Sequence, residues 1–413
     1  MLRQRIRVPR SKTTVADRIA AFNAGRDARR LERKYRAMRL DAFVFFRGAA
    51  HLYWEDWEPR AARLPKSPRV WACGDLHLEN FGSYRGDNRL VYFDLNDFDE
   101  AAMAPATADV CRLLTSLRLA AGALHLDDPE TAELSEGLLV AYCEALGSGK
   151  ARWVERPTAR GMVRDLLNGA RERTHAALLA RRTVVEDGRR RLRLDGIRME
   201  ALSPRERASV TQHLAEFVES VAKTEDQAKF YRLIDVAARI AGTGSLGVRR
   251  YVALVRGHGG EDGRVLLDIK QARPSSMAKH IGVPQPAWKS EAHRVVEIQW
   301  RMQAISPALL APVSFGRSSF VLRELQPVED RLALAHWDGK LSRLRKVVVT
   351  MGETLAWAQL RSASREGSAT LDDLIAFGRS HAWRESVLEY ARLYANKTVR
   401  YWGEFKRSSL SAV

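Results

Sequence analysis

The chain has 413 residues, 46% of them apolar and 29% charged, with 68 Lys and Arg against 50 Asp and Glu for a formal net charge of +18. This length and balance supply a core larger than one small unit needs and exclude a disordered or fibrous chain. No apolar run reaches the length of a membrane span, the first residues lack the apolar centre of a secretory signal, and three cysteines (Cys73, Cys111, Cys143) match neither a disulfide framework nor metal-ligand spacing, so a reducing cytoplasm is expected.

Residues 14–40 carry Ile19, Phe22 and Leu31 on one side and arginines on the other, which predicts an amphipathic helix. Ala42 to Phe46 is a short apolar run closed by Arg47-Gly48. Arg69 to Cys73 reads as a strand that delivers the loop beginning at Gly74. Leu90 to Phe93 reads as a second strand, entered through the turn Arg85-Gly86-Asp87-Asn88. From Ala108 onward Val110, Leu113, Leu114 and Leu117 recur at helical spacing, and helices are expected to about residue 180. Asp187-Gly188 among arginines marks an exposed hairpin or loop. Ser203-Pro204 supplies an N-cap and first helical position for a helix over 204–223. Composition shifts near residue 230. Val248 to Val255 and Val265 to Ile269 are strand candidates, separated by Gly257-His258-Gly259-Gly260. A helix over 289–305, a strand from Phe320 to Leu325, and helices over 341–362 and 385–405 complete the chain.

The positive charge raises nucleic acid as a partner. The basic residues are scattered, however, and the densest groups are Arg26 to Arg39, at helical spacing, and Arg189-Arg190-Arg191. Solvated faces explain them better than a nucleic-acid groove.

The densest chemistry lies in Gly74-Asp75-Leu76-His77-Leu78-Glu79-Asn80 and in the acidic group Asp94, Asp97, Asp99 and Glu100. An Asp and an Asn five apart, followed by carboxylates behind an apolar strand, suit phosphoryl transfer. The Asp accepts the proton of an attacking hydroxyl, and the Asn and a later Asp hold Mg²⁺ on nucleotide phosphates. Asp75 is thus the candidate base and Asn80 a candidate metal ligand. Four carboxylates in seven residues repel one another unless a cation sits among them. Asp97 is the favoured metal ligand, with Asp94 kept beside it. A polar turn capped by its own Asp and Asn is the plain alternative.

Gly242-Thr243-Gly244-Ser245-Leu246-Gly247 places glycines at Gly242, Gly244 and Gly247, where backbone N–H groups can approach phosphates closely. They lead into a strand instead of a helix, which suits a loop between two strands and not a dinucleotide fold. Lys270 closes the strand 265–269, a compact point charge for a phosphate in a chain that prefers arginine. On the 289–305 helix, the stripe of Val295, Ile298, Met302 and Ile305 takes in Glu291 and leaves Glu297 off it. Glu291 is therefore the expected partner of Lys270, with Glu297 second. The strand ending at Glu324-Leu325 would present its backbone to an adenine edge. Arg47 and His77 are expected near the site without an assigned role.

With these residues the chain resembles the protein-kinase-like superfamily, nearest its aminoglycoside- and small-molecule-phosphotransferase branch. The resemblance rests on Gly74-Asp75-Leu76-His77-Leu78-Glu79-Asn80, then Asp97-Phe98-Asp99-Glu100-Ala101, Pro105 and Asp109. More closely, it looks like a widespread bacterial family without assigned function, through Phe46-Arg47-Gly48-Ala49, Asn80-Phe81-Gly82, Asn96 to Glu100, and Leu355-Ala356 with Arg361-Ser362. Gln359 departs from that pattern, which has His there. The resemblance implies an α+β, two-lobed kinase-like fold, ATP and Mg²⁺ as cofactors, and transfer of a phosphoryl group to an unidentified hydroxyl. Transfer of AMP by the same cleft, and a non-catalytic nucleotide- or nucleic-acid-binding protein, are the alternatives. In kinases the glycine loop and lysine precede the catalytic loop; here they follow it, which implies circular permutation. The expected units are an N-terminal helical arm (1–60), a catalytic-loop half of the helical lobe (61–230), a β-rich nucleotide lobe (231–330) and C-terminal helices completing the helical lobe (331–413). Lys270 and Asp97 are expected to meet across one cleft.

Overall fold

The computed structural model describes residues 13–57, 64–242, 244, 246–327 and 330–410. It shows a mixed α+β fold. Residues 1–12 and 58–60 of the expected N-terminal arm lie outside the described residues, as do Thr243 and Ser245 of the glycine motif.

Six antiparallel strands form the main sheet, in the order Ala311–Phe315, Ser318–Glu324, Val265–Gln271, Arg250–Val255, Leu233–Arg239 and Met199–Glu200. Side chains alternate across such strands, so each face has its own apolar set. Val236, Tyr251, Ala253, Leu267, Ile269 and Phe320 pack with Val210 and Leu214 of the helix Pro204–Val221. Ala237, Val252, Leu254 and Leu266 pack instead with Leu178 and Leu179 of the helix His175–Arg182 and with Leu325. The sheet-centred part therefore begins near residue 174, not 231. Both helices were expected on the helical side, but each finds the partner for its apolar stripe on this sheet. The strands Leu233–Arg239 and Ala311–Phe315 were not expected at all.

The largest core joins the helices Thr107–Ala120, Asp128–Gly147, Leu341–Arg361 and Arg384–Arg407. Thr107–Ala120 runs through its centre and is buried at every position except Arg118. The helices Asp128–Gly147 and Leu341–Arg361 approach closely at Gly352, where a Cβ would lie 2.4 Å from the Leu138 carbonyl oxygen. Gly25, at φ +75°, and the N-cap Asp27 break the expected 14–40 helix into Val15–Asn23 and Ala28–Leu40. The run after it, capped by Asp41, is itself the helix Ala42–Gly48. Together these helices bury Ile19, Leu31, Met38 and Phe45 against Phe405.

Three smaller sheets accompany the main one. Arg69–Ala72 pairs with Ala102–Pro105. The hairpin Phe81–Arg85 and Val91–Leu95 is flanked by Asp330–Arg331 and Val154–Glu155. The chain thus leaves the main sheet at Glu324 and joins this hairpin at Asp330–Arg331. The Asp187-Gly188 expectation holds: both residues take positive φ, the type I′ turn that joins Thr183–Glu186 to Arg189–Leu192. Among the described residues no helix is long and apolar enough to cross a membrane.

Gly352→Ala drives a methyl into the Leu138 carbonyl and must separate the two helices. It should lower stability by about 1–3 kcal/mol, the usual cost of overpacking. Denaturant unfolding reads this, and an unchanged midpoint would show that the contact does not constrain the bundle.

Candidate functional site

The strand Arg69–Ala72 delivers the loop from Cys73 to Asn80, and three contacts hold that loop. The Asp109 carboxylate accepts from the amides of Cys73 (2.7 Å) and Gly74 (3.1 Å). Trp54 Nε1 donates to the Gly74 carbonyl at 2.8 Å. Gly74 itself has φ +78°, and a Cβ there would lie 2.2 Å from the Glu100 carbonyl oxygen. Only glycine meets both demands. His77 caps the short turn Leu78–Asn80, its Nδ1 accepting from the Glu79 amide at 3.1 Å. Burial, with Arg47 and Arg112 nearby, holds its imidazole well below the usual pKa and hence neutral. Arg47 pairs with Glu79 at 2.6 Å, and Glu79 also meets Arg331 at 3.0 Å.

Asp75 faces the cleft and is ion-paired to Arg112, whose Nε lies 3.1 Å from Oδ1. Arg112 comes from the central helix, is fully buried, and stacks its guanidinium 4.1 Å above the Phe46 ring. Burial pushes the Asp75 carboxyl up to about 7, with Arg112 acting against the rise. Asn80 ties the loop to the acidic turn: its amide nitrogen donates to the carbonyls of Asp75 (3.2 Å) and Asp97 (3.3 Å). Its side-chain oxygen is buried without a hydrogen-bond partner.

Lys270 reaches this place from the main sheet. Its Nζ pairs with Asp99 and lies 3.7 Å from Asp97 Oδ1. Burial alone would raise the Asp97 carboxyl, but Lys270 and the Asp99 amide hold it below the ordinary range. Asp99 goes the other way, raised by burial and by Asp97. The expected partner of Lys270 is not found. Glu291 pairs with Arg294 at 2.7 Å, one turn along its own helix, and Glu297 meets Arg301 and His293. The acidic turn is nearer to Lys270 than either glutamate, so it takes the lysine. The helix Glu291–Met302 contributes Arg294 instead, which is buried and donates to the carbonyls of Ala101, Asp99 (2.8 Å) and Arg273 (3.0 Å). Glu291 therefore acts on the turn at one remove.

Asp94 also departs from expectation. It is buried away from the cleft wall, accepting from the amides of Leu95 (2.8 Å) and Ala304 (3.1 Å) and from Arg361 (3.2 Å). With its oxygens so occupied it ties the strand Val91–Leu95 to the helix Leu341–Arg361 and does not face the cleft that Asp97 lines. Gln359 is buried in that helix, accepting from the Tyr142 hydroxyl at 2.6 Å.

The glycine motif joins the strands Leu233–Arg239 and Arg250–Val255. Gly242 and Gly244 line the cleft, and the Gly244 carbonyl accepts from Lys34 (3.1 Å) of the helix Ala28–Leu40 and from Arg26 (3.3 Å) in the turn before it. Gly247 does not line it: the residue, at φ +87°, lies against Arg26, where a Cβ would come within 2.8 Å of the Arg26 Cβ. Glu324 is likewise outside the cleft. Its side chain meets Arg89 at 3.2 Å and its amide donates to Ala308. Leu325, Gln326 and Pro327, immediately after it, do line the cleft. The cleft holds about 650 Å³ and is lined by twelve Lys and Arg against six Asp and Glu. It suits a polyanionic ligand.

Arg112 and Arg294 escaped the sequence reading. An arginine amid the apolar run of a central helix is the signal that could have exposed Arg112. Among the described residues no three His, Cys, Asp or Glu side chains form a ready metal site. Magnesium commonly takes only one or two protein oxygens beside phosphate oxygens. The partnerless Asn80 oxygen and the half-exposed Asp97 carboxylate meet that need.

Residues 26–408 match the model of a family described as "Uncharacterized protein conserved in bacteria (DUF2252)". No curated protein and no solved structure matches the chain.

Asp109→Ala leaves the Cys73 and Gly74 amides buried without an acceptor. It should cost about 3 kcal/mol, as expected for hydrogen bonds to a charged group. Asp109→Asn, which keeps one acceptor oxygen, should cost less. Denaturant unfolding of both variants checks this; equal stability of wild type and alanine variant would contradict the loop's dependence on Asp109.

Proposed function

The chain belongs to this bacterial family, and we propose that it is an ATP- and Mg²⁺-dependent phosphotransferase that moves the γ-phosphoryl group to an acceptor hydroxyl. One observation carries the reading. Lys270 and the acidic turn, far apart in sequence, converge in a cationic cleft beside Asp75 and the partnerless oxygen of Asn80.

The topology supports it. In chain order the longer strands of the main sheet run as a strand, the glycine loop, a strand, the strand that carries Lys270 and, after the helix Glu291–Met302, two more strands; from Asp330 the chain pairs with the strand Phe81–Arg85 of the other half. Kinase-like enzymes build their nucleotide half from such parts. Here the catalytic loop precedes them, and the helix Leu341–Arg361 lies behind that loop, which suits a circularly permuted two-lobed kinase-like fold. Three buried, unpaired cysteines accord with a reducing cytoplasm.

In this reading Asp75 accepts the proton of the acceptor hydroxyl as its oxygen bonds to the γ-phosphorus and the bond to the β-phosphate oxygen breaks, releasing ADP. Arg112 orients Asp75. Lys270 contacts the phosphates, Gly242 and Gly244 cover them, and Leu325 to Pro327 border the nucleoside. Asn80 and Asp97 would hold Mg²⁺, which when bound offsets phosphate charge.

Mg-ATP should raise the melting temperature of the wild type, since a ligand at a hundred times its Kd adds about 2.7 kcal/mol. Asp97→Asn should lose that gain. A shift equal in both proteins, or absent from both, would count against the site.

The rate of ATP turnover, with water as acceptor, should rise with pH through about 7 as Asp75 loses its proton. Arg112 favours the ionised form, so Arg112→Gln should move that limb to higher pH. A limb that stays in place would remove Asp75 as the base.

A further inference from the structure

The N-terminal helices bring a second group of cations to the cleft, which the roles assigned so far leave unused. Phe22, Arg26 and Lys34 of this segment all line it. Lys34, on the helix Ala28–Leu40, is 1% exposed, and its Nζ donates to Asn23 Oδ1 and to the Gly244 carbonyl, each at 3.1 Å. Arg26, in the turn before that helix, holds its guanidinium 5.1 Å from the centre of the Phe22 ring and donates from Nη1 to the same carbonyl at 3.3 Å. Its Nε is buried without a hydrogen-bond partner. Both cations reach one oxygen, so their nitrogens lie no further apart than those two bonds laid end to end. A single phosphate group spans that gap with a charge-assisted bond of about 2.8 Å to each.

A lysine can donate three hydrogen bonds. Lys34 uses two, both to uncharged oxygens. Among the described residues no carboxylate stands at ion-pair distance from Lys34 or Arg26. The carboxylates that act on them from further off have nearer partners: Asp75 has Arg112, Asp99 has Lys270, and Glu100 has Ser276. Burial and the neighbouring Arg26 push the Lys34 ammonium well below its ordinary range, and burial with Arg273 pushes the Arg26 guanidinium down to about 10. A buried cation calls for an anion, and here the open side faces the cleft. The scaffold keeps the pair in place. Ile19, Leu31 and Met38 of the same helices are buried against Phe45 and Phe405, and the Asp27 amide donates to the Gly247 carbonyl at 3.4 Å.

The position narrows what that anion is. Lys34 meets the glycine motif at Gly244, and Asp75 is among the carboxylates near enough to act on it. In the phosphotransferase reading, on which this inference rests, the group between the glycine loop and the base is the γ-phosphoryl. We propose that Lys34, with Arg26 beside it, binds the γ-phosphoryl group of the nucleotide, which makes the N-terminal helices a working wall of the site. The phosphoryl oxygens give the third Lys34 donor its charged acceptor. As the acceptor oxygen bonds to the γ-phosphorus and the bond to the β-phosphate oxygen breaks, the Lys34 ammonium stays on the group in transfer, and Lys270 keeps the phosphates that leave as ADP. A fixed cation at that place offsets charge on the equatorial oxygens without having to reorganise.

Calorimetric titration of the full chain in Mg²⁺ with ADP, a non-hydrolysable ATP analogue and inorganic tripolyphosphate tests this. The wild type should bind the analogue about tenfold or more tighter than ADP, the gain expected of a hydrogen bond to a charged group. Lys34→Met keeps the apolar stem and removes the ammonium; it should close that gap and leave the affinity for ADP unchanged. Arg26→Gln, at a less buried position, should narrow the gap and also spare ADP. If Lys34→Met does not fold, an unchanged gap in Arg26→Gln overturns the proposal. No gap in the wild type, or a gap that survives Lys34→Met, overturns it as well. So does an equal loss of ADP and analogue in Lys34→Met, the mark of a lysine that only holds the glycine loop. Where the gap survives Lys34→Met but the Mg-ATP shift still depends on Asp97, the phosphotransferase reading stands without this contact. Where neither nucleotide binds, but tripolyphosphate binds the wild type and not Lys34→Met, the anion site stands and the nucleotide reading falls.

Discussion

Asp75, Asp97, Asp99 and Glu100 border one half-buried cleft, and the ammonium of Lys270 sits at its centre, paired to Asp99 and 3.7 Å from Asp97. Like charges brought together away from water raise one another's pKa and oppose folding. The cation that answers them comes from a different half of the molecule. The two halves therefore meet at the acidic turn. Arg294 takes the carbonyls of Asp99 and Ala101, and the Ser275 and Ser276 hydroxyls take the carbonyl and carboxylate of Glu100. A turn that repels itself becomes the joint between two parts of the fold.

The other side of the cleft is built from within. The central helix Thr107–Ala120 offers Asp109 and Arg112 one turn apart to the same loop. Asp109 takes its backbone amides and Arg112 takes Asp75, so one buried helix sets both the path of the loop and the charge at its tip. Burial is what makes this useful: the same dehydration that requires Arg112 brings the Asp75 carboxyl to about 7, where a proton can be gained or lost near neutrality.

Much of this was legible from local pattern. The loop from Gly74 to Asn80, the lysine of an apolar strand and the glycines between two strands all depend on residues near one another in sequence, and the structure brings Asp75, Asn80, Lys270, Gly242 and Gly244, though not Gly247, to one cleft. Long-range choices were not legible. Val295 of the Glu291–Met302 helix lines the cleft and Glu291 does not, and nothing in the periodicity says that Asp99 pairs with Lys270 in its place. Likewise the stripe of the Pro204–Val221 helix announces an apolar partner without naming the sheet that supplies it. Asp94 and Asp97 are three residues apart in one acidic run, and only the positions of Arg361 and Ala304 separate the buried lock from the cleft residue.

The most direct test is a crystal structure of the chain with Mg²⁺ and a non-hydrolysable ATP analogue. The account predicts the triphosphate between Lys270 and the 75–97 segment, with the metal at about 2.1 Å from Asp97 and the Asn80 side-chain oxygen, the distance Mg²⁺ requires. A nucleotide bound elsewhere on the molecule, or a cleft that stays without one at saturating analogue, would contradict it.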